Sequence, residues 1–101
     1  MNQKDELTGK QKRFLRALAN RLSDKIVIGH SGFSKNCLAN LDKVLLSDEL
    51  VKVRIQPASG LERREAAIKI ASMSGSSCVQ VFGNTVVLYR ENTENKQIKL
   101  P

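Results

Sequence analysis

The stretch Lys25-Ile26-Val27-Ile28-Gly29-His30-Ser31-Gly32-Phe33-Ser34-Lys35 constrains the fold more tightly than any other part of the chain. A β-branched run, the composition of a strand, stops at two glycines three positions apart. A helical pattern follows directly. Ser34 is a good N-cap, and Cys37, Leu38, Leu41, Val44 and Leu45 recur behind it on one face. Strand, tight loop and helix start therefore succeed one another within a few residues. Glycine tolerates positive φ and has no Cβ to hold a partner away. The helix start turns unpaired N–H groups and the positive end of its dipole toward the loop. Loop and helix end together make a seat for a phosphate or a phosphodiester chain, and a GxxG loop clamps nucleotide backbone in the KH module. A plain strand-to-helix turn uses the same two glycines, so the rest of the chain must decide between the two.

Around this stretch the remaining elements fall into order. Thr8 and Gln11 form a capping-box pair, which predicts a helix from Lys10 to Leu22. Its expected buried stripe is Phe14, Leu15, Leu18 and Leu22, with Lys12, Arg13 and Arg16 roughly opposite and Lys10 at the margin. Asn20 to Asp24 are turn-like, and Lys25–Ile28 is the first strand. Ser47-Asp48-Glu49 reads as a connector after the second helix. Leu50–Ile55 then alternates, with Val51, Val53 and Ile55 inward and Lys52 and Arg54 on the side away from the core. Pro57 ends that strand. Ser59 and Glu62 suggest a second capping box, opening a helix over Leu61 to Ser74 that stops at Gly75. Leu61, Ile68 and Ala71 point one way along it and Ala66, Ile70 and Met73 nearly the other, so this helix is expected to be the more deeply buried. Cys78–Phe82 and Thr85–Tyr89 flank Gly83-Asn84, a hairpin with a primed turn. Gln97 to Pro101 are expected to dock as a short extended end. The prediction is one α/β (α+β-like) domain of order αβαβαββ with a four-stranded mixed sheet, spanning residues 7–101 behind a flexible lead-in at residues 1–6.

Composition narrows the function classes. The formal charge of the 101-residue chain is +7, and its cations cluster. No acidic residue interrupts the first helix between Glu6 and Asp24, and Lys52, Arg54, Arg63, Arg64 and Lys69 form a second basic stretch. Such a bias suits a polyanion partner. No apolar run approaches the ~20 residues that span a bilayer, so no membrane partner is expected. The polar N-terminus leads into no apolar signal region, and Cys37 and Cys78 fit no metal spacing, which points to reduced core thiols in a cytoplasmic protein. Gly29-His30-Ser31-Gly32-Phe33 stops one glycine short of a nucleophile elbow, and His30 is the chain's one histidine, so no second base completes a triad. No metal or nucleotide motif is present, and neither an enzyme nor a cofactor is expected. The aromatic residues are Phe14, Phe33, Phe82 and Tyr89, and the aromatic pattern of sheet-type RNA readers is absent. Recognition should rest on backbone charge and loop shape more than on stacking, with modest sequence specificity.

Several separated motifs in one order also resemble a known family. Leu7-Thr8-Gly9-Lys10-Gln11-Lys12-Arg13-Phe14-Leu15-Arg16-Ala17-Leu18-Ala19 is similar to the opening of the CRM domain, the chloroplast RNA splicing and ribosome maturation module. Ile28-Gly29-His30-Ser31-Gly32-Phe33 resembles its GxxG loop, and Glu49-Leu50-Val51-Lys52-Val53 its second strand. Val79-Gln80-Val81-Phe82-Gly83 with Val87-Leu88-Tyr89-Arg90 resembles its last hairpin, and Ile98-Lys99-Leu100-Pro101 the ending of free-standing bacterial, YhbY-like members. His30 stands where the family commonly has lysine, Phe33 where leucine is usual, and Asp24 near a usual proline. The first replaces a permanent charge in the loop by an imidazole.

The resemblance implies an RNA-binding protein with a fold similar to the C-terminal domain of bacterial translation initiation factor three. It further implies a role on precursors of the large ribosomal subunit, and a monomer without catalytic activity is expected. The residues expected at the RNA are Gly29, His30, Ser31, Gly32 and Lys35 in the loop and helix start, Lys10, Lys12, Arg13 and Arg16 on the first helix, and Lys52 and Arg54 on the second strand. The competing reading is a protein-interaction module whose basic face binds an acidic protein.

Overall fold

Leu50–Ile55 forms the strand that joins the two halves of the sheet. In the computed structural model, which describes residues 7–101, the elements are α1 (Gly9–Ala19), β1 (Ile26–Ile28), α2 (Lys35–Asp48), β2 (Leu50–Ile55), α3 (Arg63–Ser74), β3 (Ser77–Phe82) and β4 (Thr85–Tyr89). The expected lead-in, residues 1–6, lies outside the described residues. The order αβαβαββ is the one read from the sequence. The sheet runs β1-β2-β4-β3. β1 pairs parallel with β2 through the α2 crossover, as parallel neighbours require, while β4 pairs antiparallel with β2 and β3. Gly83, at φ +58, makes the two-residue turn between β3 and β4.

Helices pack on both faces of the sheet. Ile26, Ile28, Val51, Val53, Ile55, Val86 and Leu88 face α2 and α3, meeting Leu41 and Leu45 of one and Ala66, Ala67 and Ile70 of the other. The alternate residues Leu50, Val87 and Tyr89, with Val79, face α1 through Leu15 and Ala19. The far side of β2 is therefore not simply a solvated charged face. Lys52, expected to point away from the core, lies half-buried on the α1 side, where its Nζ donates to the Leu22 carbonyl at 3.1 Å. Cys37 and Cys78 are free thiols packed against the α2–α3 core, and burial pushes both thiols above their ordinary pKa.

Three local expectations change. The Thr8–Gln11 capping box forms, but α1 ends at Ala19, and its buried stripe centres on Leu15 and Ala19. Phe14 and Leu22 are exposed, because the helix rolls its small Ala19 edge onto the sheet. The cap of α3 is Glu62, whose carboxylate accepts from Glu65 N, while Ser59 ends a 3-10 turn over Pro57–Ser59 and accepts from Leu61 N. α3 buries one face through Ala66, Ala67 and Ile70. Ile68 and Met73, expected on its two apolar faces, are exposed.

The expected connector Ser47-Asp48-Glu49 contains the main surprise. α2 continues to Asp48, and Glu49 caps it at φ +66 with its side chain fully buried. One carboxylate oxygen accepts from Asn92 N at 2.7 Å, and the other from Gln97 N at 2.9 Å and Ile98 N at 2.7 Å. Its carbonyl accepts from Arg90 N at 2.8 Å. These bonds fold the C-terminal segment back over α1, where Ile98 and Leu100 join the Leu15 cluster and Pro101 accepts from the Gln11 amide. The expected docked end is present. Burial, reinforced by the Glu49 and Glu91 carboxylates, pushes the Tyr89 phenol up to about 12.

Glu49→Gln places an amide donor against a backbone donor and leaves at least one buried N–H without an acceptor. It is expected to cost about 2 kcal/mol, lowering the melting temperature by roughly 10 °C. Limited proteolysis should then cut first within residues 91–101, and an unchanged melting temperature would refute the role given to this carboxylate.

Candidate nucleic-acid interface

β1 is three residues long and ends at Ile28, directly before Gly29. The chain reverses in a four-residue turn closed by Gly32 N to Gly29 O at 2.9 Å, with His30 and Ser31 exposed at its tip. Gly32 takes φ +64, and Ser34 N returns to its carbonyl at 3.0 Å. A Cβ on Gly29 would lie 2.7 Å from Gln56 Oε1, the end of an exposed and flexible side chain. The two glycines thus differ in role. Gly32 is needed for its backbone angle, whereas Gly29 is needed only for close approach. Phe33 packs half-buried against the core and holds the exit of the loop.

Ser34 caps α2, its Oγ accepting from Cys37 N at 3.1 Å. The amides of Lys35 and Asn36 are left as unpaired first-turn donors among the described residues, and no acidic side chain stands in that turn. The seat therefore combines two free N–H groups, the positive helix end, the exposed Lys35 ammonium and the hydroxyl and imidazole of the loop tip.

The other expected cations are distributed unevenly. Lys10 and Arg13 point outward from α1, while Lys12 and Arg16 lie half-buried on its flank. Lys12 approaches β3 closely enough to oppose, in part, the upward push of burial on the Cys78 thiol. α1 and α2 cover opposite faces of the sheet, so the outward face of α1 and the loop are not one surface. Lys52 and Arg54 lie between them on β2. Lys52 holds Leu22 O, and Arg54 Nε holds Asp24 Oδ2 at 3.2 Å in a surface ion pair. Gln56, two positions beyond Arg54, continues this row to Gly29 and was not anticipated. The strand alternation Lys52–Arg54–Gln56 is the signal that points to it. Among the described residues no cluster of His, Cys, Asp and Glu could hold a metal ion, and no helix is long and apolar enough to cross a membrane.

Residues 7–90 match the CRS1 / YhbY (CRM) domain. The chain is 41% identical to the Bacillus subtilis protein named "Probable RNA-binding protein YqeI", over 94% of this chain and 99% of that one. A Haemophilus influenzae protein named "RNA-binding protein" is 34% identical over 94% of this chain and 95% of its own length. The solution structure of a hypothetical protein from Staphylococcus aureus superposes with a TM-score of 0.76 at 38% identity, covering 95% of this chain and all of the other.

The different demands on the two glycines give a direct test by thermal melting. Gly32→Ala forces a Cβ into the left-handed region and should cost about 1–2 kcal/mol. Gly29→Ala needs only a swing of Gln56 and should change stability by less than about 0.5 kcal/mol. Equal losses in the two variants would contradict this division.

Proposed function

Since the chain belongs to the CRS1/YhbY (CRM) family, we propose that it binds RNA through the Gly29–Gly32 loop and acts in assembly of the large ribosomal subunit, on precursor ribosomal RNA. The observation that carries this reading is the helix start beyond the loop: two unpaired amides, no acidic side chain in the first turn, and Lys35 alongside. A phosphate placed there meets donors already oriented by the fold, so little ordering is required of the protein. With the exposed Gln56 side chain swung aside, Gly29 lets the nucleotide backbone come close, and His30 and Ser31 supply hydrogen bonds at the tip. Lys10 and Arg13 neutralise further phosphates along α1, and Arg54 can exchange its exposed ion pair with Asp24, a contact of about 0–1 kcal/mol, for a phosphate. The names of the relatives from Bacillus subtilis and Haemophilus influenzae support RNA as the partner. In this reading the protein works in the cytoplasm as a monomer and catalyses no step.

His30→Asp with Ser31→Asp keeps both glycines and sets two negative charges where a phosphate would sit. The helix end tolerates anions, so the melting temperature should stay nearly unchanged while affinity for ribosomal RNA collapses. Retained affinity in the folded double variant would remove the loop from the interface.

Lys10→Gln with Arg13→Gln should weaken all RNAs alike. It should also lower the slope of log affinity against log salt by about two, one for each phosphate no longer neutralised. An acidic-protein partner predicts instead that RNA affinity in the parent is weak and indifferent to both sets of substitutions.

A further inference from the structure

A single row of side chains crosses the sheet beyond the reach of α1. The registers Val27↔Arg54, Arg54↔Thr85 and Phe82↔Thr85 align one residue from each strand across the whole sheet. Their neighbours Ile28, Ile55, Val86 and Val81 pack toward α2 and α3, so by alternation this row faces the α1 side. α1 covers the sheet only around Leu50, Val87 and Tyr89, and the row lies past that cover. Phe82 is 74% exposed and Val27 49% exposed. An aromatic ring left so open on a strand is unusual, since strand aromatics ordinarily pack against cross-strand neighbours.

The ring borders an open groove of about 700 Å³, whose walls include Arg54, Gln56, Pro57, Asn84 and Thr85. That volume lies within the range of small-ligand sites, roughly 300–1,000 Å³. The row spans about 14 Å, at ~4.8 Å per strand, and is far too small for the ~800 Å² per partner that a stable protein interface buries. Its charge is positive. Asp24 holds Arg54 Nε and thereby sets the plane of the guanidinium, while both Nη groups have no partner among the described residues. Gln56 joins the groove to the loop, its side chain standing against Gly29.

We propose that this groove holds an unpaired nucleotide, its base stacked on the face of Phe82 and its phosphate on Arg54. The site rests on the RNA-binding reading and extends it, because it reads single-stranded character where the loop reads backbone alone. A stacked base needs no particular hydrogen-bonding edge, so the site selects for unpaired RNA and tolerates any sequence. It also revises the expectation that stacking plays little part. Phe82 closes a β-run in the sequence, and in the fold its ring is exposed just before the turn at Gly83.

The test uses two fluorescein-labelled probes, a twelve-nucleotide oligouridylate and a twelve-base-pair RNA duplex, with affinities read by anisotropy over a range of salt. The exposed ring makes no core contact, so Phe82→Ala should fold with an unchanged melting temperature. It should weaken the oligouridylate about tenfold while leaving its salt slope unaltered, since no charge is removed. Duplex affinity should stay within about twofold, and Phe82→Tyr should bind the oligouridylate like the parent. Equal oligouridylate affinity in parent and Phe82→Ala overturns the stacking site and leaves RNA binding by the loop intact. Equal losses on both probes overturn it as well, because they make Phe82 a general contact. A parent that binds neither probe, nor ribosomal RNA, overturns this site together with the reading it rests on.

Discussion

A buried carboxylate with no cation paired to it among the described residues organises the C-terminal third of this fold. Glu49 lies where α2 gives way to β2, its side chain enclosed and its backbone held at φ +66. Taking such a group out of water is costly unless every strong acceptor site is filled. Asn92, Gln97 and Ile98 fill them with backbone N–H groups, and in doing so the chain after β4 loses its freedom to leave the sheet. The consequence reaches α1. Ile98 and Leu100 complete the apolar bed in which Leu15 sits, so the helix that carries Lys10 and Arg13 is seated by a carboxylate on the far end of α2.

Because α1 must be held on one sheet face and α2 with α3 on the other, the basic residues divide among surfaces rather than forming a single patch. α1 presents Lys10 and Arg13, the loop presents Lys35 and two free amides, and β2 carries Lys52 and Arg54 between them. A phosphodiester chain is long and flexible enough to visit all three. A compact anion is not. The arrangement therefore suits a polymer better than a small phosphate ligand. The ion pair of Arg54 with Asp24 and the bond of Lys52 to Leu22 O fit the same picture, since both keep a long side chain oriented while remaining weak enough to exchange.

α1 is short, and that length matters for the open end of the sheet. Its apolar spacing suggests a helix to Leu22. Instead the chain turns at Asn20, and the last cross-strand row is left uncovered. Leu22, beyond the helix end, is exposed as well.

Local patterns in the sequence were sufficient for the order αβαβαββ, the caps at Thr8 and Ser34, the Gly83 hairpin and the GxxG loop, because each depends on residues within a few positions of one another. The same holds for the inward run Val51, Val53 and Ile55. What lay outside local pattern was decided by contacts between distant segments. α1 seats Leu15 and Ala19 in a cluster with Leu50, Val79, Val87 and Tyr89, and α3 buries Ala66, Ala67 and Ile70 while Ile68 stays exposed. Glu49 looked like an ordinary connector residue, since nothing near it in sequence reveals that Asn92 to Ile98 return to it. The exposure of Phe82 has a matching cause. Whether a ring on a strand is core or open depends on where a separate helix stops, and helix packing is a property of the assembled layers rather than of either segment alone.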